Sequence, residues 1–166
     1  VLARTLLAFE RAKCIKNIVI VARDCDILPF QIIAEKYMIS KVSDIVCGGC
    51  CREESVKNGV LRLGDDTEYV LIHDGARPFV TEDIILQVVA TTQNEGAAAC
   101  GIPPVDTQKE INSQGVIVRH LNRDSLVAIQ TPQGFHFKPL LQAHLMAAQD
   151  NFETTDDTAI WGTYVG

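Results

Sequence analysis

No stretch of the 166 residues is long and apolar enough to span a bilayer, which excludes a membrane-spanning helix within them. There is no run of Lys or Arg either, and the formal net charge is −6, so neither a membrane surface nor a nucleic-acid backbone is an expected partner. A small-molecule or protein partner is expected instead, and an anionic substrate would have to be met by local cations. Aromatic residues are scarce at 6%, and no internal repeat, low-complexity tract or linker divides the chain. Cysteine is present six times, but nothing completes a zinc set. Cys47-Gly48-Gly49-Cys50-Cys51 holds one C-x-x-C without a second pair or a nearby His, so the thiols are expected to be reduced, buried and inert in a cytosol-like compartment.

What remains is the composition of one ordinary α/β domain: 47% hydrophobic, 22% charged, and long enough to bury a sizeable core. The chain is organised around Tyr69-Val70-Leu71-Ile72-His73-Asp74-Gly75-Ala76-Arg77-Pro78. Its apolar run is too short for a stable helix and lacks polar alternation, which predicts a fully covered, parallel-type strand. Asp74 then stands at the carboxyl end, where ligands bind in open α/β sheets. An acid there can hold a metal ion or a ribose hydroxyl, while Arg77 offers charge to a phosphate. The competing reading is a plain Asp-Gly turn closed by Arg and Pro.

In chain order, Leu2, Leu6, Leu7 and Phe9 predict a helix, and Asn17 to Ala22 a strand. Asp26 is a candidate cap for a helix that tolerates Pro29 in its first turn and carries Phe30, Ile33 and Tyr37 on one face. Asp44 to Cys47 is a short strand running into Gly48-Gly49, where backbone N–H groups can approach a ligand beside Ser55. Helices are expected from Arg52 to Leu63, with Val56, Val60 and Leu63 inward, and after Thr81, with Ile84, Ile85, Val88 and Val89 buried. Ala97 to Ile102 is expected as a covered strand of small residues. Two strands flanking Asn112-Ser113-Gln114-Gly115 predict a β-hairpin that projects as an arm across residues 103–123, and such an arm commonly exchanges with a second copy. Pro139 opens a helix with Leu140, Leu141, His144 and Leu145 at helical spacing, and Thr155 can cap a last short one. Strand–helix alternation through the first hundred residues implies parallel pairing and a three-layer α/β/α domain spanning residues 1–166.

Gly48-Gly49 with Arg52 and Ser55-Val56, then His73-Asp74-Gly75-Ala76-Arg77-Pro78, Asp106-Thr107, Asn122-Arg123, Thr131-Pro132-Gln133 and Thr155-Asp156-Asp157 together resemble the 2-C-methyl-D-erythritol 4-phosphate cytidylyltransferase family. The resemblance runs over essentially the whole chain. It implies a Rossmann-like nucleotidyltransferase fold, a homodimer built through the arm, a cytoplasmic setting (or plastid stroma in a plant or alga), and transfer of CMP from CTP to a sugar-alcohol phosphate. By position, Gly49, Ser55 and Ala76 match residues at the nucleotide. Asp74 matches the acid at Mg²⁺ and the CTP phosphates, and Arg77 the arginine that follows it. Thr107 and Arg123, carried on the arm, match residues that reach the substrate phosphate in a partner's site, and Asp106 matches a neighbour that orients the substrate. The family's glycine-rich phosphate loop, with its Arg and Lys, and its C-terminal lysine have no counterpart in these residues. The chain therefore resembles the middle of such an enzyme, and these residues by themselves are not expected to turn over. Cys50 stands where an acid is common. Ribitol 5-phosphate cytidylyltransferases share most of these motifs, and a non-catalytic nucleotide-binding or dimerisation module is the remaining alternative.

Overall fold

The computed structural model describes every residue, Val1–Gly166. Helix α1 (Leu2–Arg11) leads into β1 (Ile18–Ala22), α2 (Ile27–Lys36), β2 (Val42–Cys47), α3 (Arg52–Val60) and β3 (Tyr69–Ile72). Then follow α4 (Glu82–Glu95), β4 (Ala97–Ile102), β5 (Lys109–Ile111), β6 (Ile117–His120), β7 (Ala128–His136), α5 (Phe137–Gln149) and α6 (Asp157–Tyr164). No helix is long and apolar enough to cross a membrane.

The three layers follow from the two-residue period of the strands. Ile20 of β1 packs with Leu6 of α1 and Ala34 of α2, and Leu71 of β3 lies against Phe9 of α1 and Ile85 of α4. The neighbours Val70 and Ile72 point the other way, into a cluster of Val60 from α3 and Phe135, Phe137 and Leu140. In β7 a Cβ at Gly134 would run into Thr92 and Val88 of α4, so the glycine lets that helix lie close while Phe135 is buried on the opposite face. Gly59 does the same for α3: a Cβ there would stand 2.7 Å from Val21 Cγ2. The residue that weakens α3 as an isolated helix is what allows it to dock.

Strand pairing departs from the all-parallel expectation. β1 and β2 are parallel, from Ile18↔Val42 to Ala22↔Cys47. β3, however, pairs antiparallel with β7 (Tyr69↔His136 to Ile72↔Gln133), and β4 flanks the other side of β7, also antiparallel. Tyr69 to Ile72 is therefore neither parallel-paired nor fully covered; all four residues are half-buried. β7 was not visible in the sequence because Pro132 and Gly134 are poor strand formers and Gln130 and Gln133 break the apolar pattern. Pro132, after a cis peptide bond, falls where the β4–β7 register slips between Ala99 and Gly101, which is where a residue without an N–H is tolerated.

Several local expectations are also corrected. Asp26 precedes α2 but its carboxylate takes the Arg23 guanidinium at 2.6 Å rather than capping the helix. Tyr37, Ile84 and Leu145 lie on exposed faces, and Ala34, Thr92, Ala143 and Ala147 fill the inward positions. Ala99, Gly101 and Ile102 of β4 are exposed rather than covered. The cap of α6 is Asp156, which accepts from the Ala159 N–H, and not Thr155. Thr81 does cap α4, and Gly96, at φ 89°, ends it. Residues 103–123 contain the expected hairpin, β5 with β6, closed by Asn112 Oδ1 accepting from Gln114 N and Val116 N and by Gly115 at φ 78°.

Candidate functional site

Two turns, each leaving the carboxyl end of a strand, carry the expected nucleotide residues. The first follows β3. Asp74 Oδ2 accepts from Arg77 Nε at 2.8 Å, and the Arg77 N–H returns to the Asp74 carbonyl, so the pair closes a tight turn with both side chains nearly half exposed. A chain of hydrogen bonds braces it from beneath. The Asp74 N–H donates to Thr131 Oγ1, Thr131 Oγ1 lies 3.1 Å from His73 Nδ1, and His73 Nε2 lies 3.1 Å from the Arg77 carbonyl. Every donor finds an acceptor if the imidazole is neutral with its proton on Nε2. Burial, helped by the Arg77 charge, indeed holds the His73 pKa below the ordinary histidine value, although its bond to the Arg77 carbonyl pulls the other way. Phe9 covers the ring at 4.9 Å between centroids, and the Gly75 carbonyl accepts from Thr5 Oγ1. Ala76 is exposed at the apex of this turn.

The second turn follows β2. Gly48 N–H extends the strand by bonding the Ala22 carbonyl, and Gly49 N–H donates to Ser55 Oγ at 3.0 Å, which itself donates to the Cys51 carbonyl. Cys50 N–H is taken by Glu54 Oε2 at 2.7 Å. The Gly48 N–H is thus taken up by the neighbouring strand, and the Gly49 and Cys50 N–H groups by side chains of the first turn of α3, rather than left open to a ligand. The thiols of this turn are exposed, as are Cys14 and Cys25, with only Cys100 half-buried. That corrects the expectation of buried cysteines: Cys47 to Cys51 leave the sheet edge instead of facing the core. The carboxylate of Glu54 pushes the Cys50 thiol up to about 11.

Beneath the second turn lies a buried charge network that sequence reasoning missed. Arg52 Nη2 donates to Asp157 Oδ2 at 2.7 Å, and His144 Nε2 lies 3.1 Å from Asp157 Oδ1, with Asp157 0% and His144 1% exposed. Asp157 N–H donates to Gln133 Oε1, and Glu53 Oε1 accepts from the Thr154 N–H, which holds the Glu53 pKa down. The start of α3 is therefore tied to the starts of α6 and, through Gln133, to β7. The available signal was Asp157 itself, a second acid immediately after a helix cap and inside an otherwise apolar helix.

The arm residues form a separate group. Asp106 and Thr107 are exposed in the segment before β5, and Arg123, in the turn after β6, donates from Nη1 to the Val105 carbonyl at 2.9 Å. This brings Arg123 to the Val105–Asp106 segment at the base of the hairpin. None of the three makes a hydrogen bond or ion pair with Asp74 or Arg77 within the protomer.

The sequence and the fold match those of known proteins. The family model for 2-C-methyl-D-erythritol 4-phosphate cytidylyltransferase matches residues 1–165. The enzyme of that name from Bacillus cereus is 41% identical over 160 residues, covering 96% of this chain and 70% of the relative. The one from Clostridium botulinum is 43% identical over 164 residues, covering 99% and 72%. Among solved structures, the 4-diphosphocytidyl-2C-methyl-D-erythritol synthase of Anaerococcus prevotii superposes with a TM-score of 0.89 at 31% identity, covering 98% of this chain and 71% of that one. The Thermus thermophilus cytidylyltransferase gives 0.80 at 28%, covering 98% and 73%. With the Rossmann-like nucleotidyltransferase fold, the chain belongs to the 2-C-methyl-D-erythritol 4-phosphate cytidylyltransferase family.

Proposed function

We propose that the protein transfers CMP from CTP to 2-C-methyl-D-erythritol 4-phosphate, releasing pyrophosphate, in the synthesis of isoprenoid precursors and in the cytoplasm. The observation that carries the reading is the Asp74–Arg77 turn, a half-exposed acid and guanidinium at the end of β3, held by His73 and Thr131. In the reaction an oxygen of the sugar phosphate attacks the α-phosphorus of CTP and pyrophosphate leaves. Both reactants are polyanions, so the protein's task is to position them and neutralise charge, and no covalent protein nucleophile is needed.

The donor set at Asp74 fits a Mg²⁺ ion, which typically takes one or two carboxylates and completes its shell with substrate phosphates and water. When bound, the ion supplies charge neutralisation to the triphosphate. Asp74 would hold it, and Arg77, which pairs with the Asp74 carboxylate, would offer part of its guanidinium to a phosphate oxygen. Ala76, with no bulk beyond Cβ, lets the nucleotide approach the turn. Gly49 and Ser55 border the base, and the Arg52–Asp157 pair keeps that border in place. Asp106, Thr107 and Arg123 serve the sugar phosphate in the site of a second copy, residues 103–123 being the dimerisation arm of a single domain.

The test is pyrophosphate release by an intact enzyme carrying this sequence, with CTP and Mg²⁺ and either sugar phosphate. Turnover with 2-C-methyl-D-erythritol 4-phosphate and little with ribitol 5-phosphate is the expected outcome; the opposite preference would move the protein to the neighbouring activity, and tight CTP binding with no turnover on either would reduce it to a nucleotide-binding module.

A further inference from the structure

Apart from the residues given to nucleotide and sugar phosphate, one cluster gathers ligands of the thiophilic kind. The sulfurs of Cys50 and Cys51 and a carboxylate oxygen of Glu54 all lie within 4.8 Å of one another. The local fold produces this. Cys50 and Cys51 are the last residues before α3, and Glu54 sits in its first turn, so the helix carries the carboxylate back over the thiols. The Cys50 N–H bond to Glu54 Oε2, at 2.7 Å, keeps it there. Together with Glu53, Lys57 and His144 the three residues line an open cavity of about 710 Å³ between α3 and α5, so an ion reaches them without any opening of the fold. The C-x-x-C spacing in the sequence drew attention to Cys47 and Cys50; the structure gathers Cys50 with Cys51 and adds the acid that the sequence did not offer.

Two thiolates and a carboxylate suit Zn²⁺, whose tetrahedron takes Zn–S bonds of about 2.3 Å and leaves a fourth position for water. Ligand atoms in such a tetrahedron stand roughly 3.7 Å apart, so closing onto an ion takes shifts of about an ångström in exposed side chains. Mg²⁺, which demands oxygen ligands in an octahedron, is excluded here, and the cluster is chemically distinct from the Asp74 turn. We propose that Cys50, Cys51 and Glu54 form a binding site for one thiophilic divalent cation of the Zn²⁺ type on the turn between β2 and α3. On binding, each thiol gives its proton to solvent, and the ion ties the turn to the first turn of α3 by metal–ligand bonds.

The test uses the reduced, intact protein titrated with Cd²⁺, followed by the ultraviolet thiolate-to-cadmium charge-transfer band, with Zn²⁺ as competitor. The expected result is saturation at one Cd²⁺ per chain and loss of the band on adding Zn²⁺. The Cys50→Ser/Cys51→Ser variant loses the saturable band. Glu54→Gln keeps it but binds more weakly, and Cys47→Ser titrates like the parent. Because Cys47, Cys50 and Cys51 are exposed and Glu54 is only half-buried, an unchanged far-ultraviolet circular dichroism spectrum is expected for each variant. A parent without a saturable band, a band that survives in the double variant, one that disappears with Cys47→Ser, or a Glu54→Gln variant that binds as tightly as the parent would overturn the assignment. The readout involves no CTP, so it stands or falls separately from the proposed reaction.

Discussion

His73 and Asp157 show what single residues contribute. The hydrogen-bond chain under Asp74 requires a neutral imidazole, and burial already holds the His73 pKa below its ordinary value of 6.5. The unfolded chain therefore binds a proton on this residue before the folded one does. Stability is undiminished above the unfolded value, falls as the pH drops below it, and stops falling once the pH is under the lowered folded value. His73→Gln, which keeps polar groups near both ring-nitrogen positions but does not titrate, should flatten that part of the stability–pH curve in urea melts; an unchanged acid limb would show that His73 is not neutral in the fold. Asp157 is fully buried, its Oδ2 accepts from Arg52, and its Oδ1 lies 3.1 Å from His144 Nε2 without a hydrogen bond. Asp157→Ala strands the Arg52 charge, and a loss of about 3–5 kcal/mol is expected in denaturant unfolding. A loss under about 1 kcal/mol would mean that the guanidinium finds water.

At the scale of elements, β7 is the strand on which the others depend. It is the only strand paired on both sides, and Phe135 fills the cluster between α3 and α5 with no exposure. Phe135→Ala should destabilise the fold by about 3–5 kcal/mol, read as a shift of the urea midpoint at constant m-value. The elements that the sequence made legible were those with consistent periodicity: Ile18–Ala22, the α3 face of Val56, Val60 and Leu63, the Thr81-capped helix, and the hairpin around Asn112–Gly115. β7 was hidden because its identity comes from tertiary pairing, with Pro132 placed at a register slip and Gly134 demanded by α4. The inward helix faces were misjudged for a related reason. Ala34, Thr92, Ala143 and Ala147 are small, and close helix packing selects small residues where a hydrophobicity pattern selects large ones.

For the whole molecule, the candidate site divides into two groups that the protomer does not join. The turns after β2 and β3 lie on the body, whereas Asp106, Thr107 and Arg123 sit at the base of a hairpin whose strands are largely exposed. Asp74 and Arg77 were legible because an apolar strand ending in acid, glycine and arginine is a local pattern. The convergence of Arg52, His144 and Asp157 was not, since those residues are separated by as much as 105 positions and meet only through packing. Ile111 and Ile117, register partners on the arm, are 60% and 54% exposed, which is the face a second copy would cover. If the arm makes the dimer, replacing both by Glu should halve the mass seen by sedimentation and leave circular dichroism unchanged; a variant that sediments as the parent does would place the interface elsewhere.

The proposed reaction centres on the end of β3, and the most direct measurement is the Mg²⁺ dependence of pyrophosphate release by Asp74→Asn and the parent in an intact enzyme carrying this sequence. Asparagine preserves the size of the side chain and removes the charge that would hold the ion. The rate should fall by about a hundredfold or more at limiting Mg²⁺, with the melting temperature little changed. An Asp74→Asn enzyme that turns over like the parent across the Mg²⁺ titration would contradict the assignment and remove the β3 turn from the site.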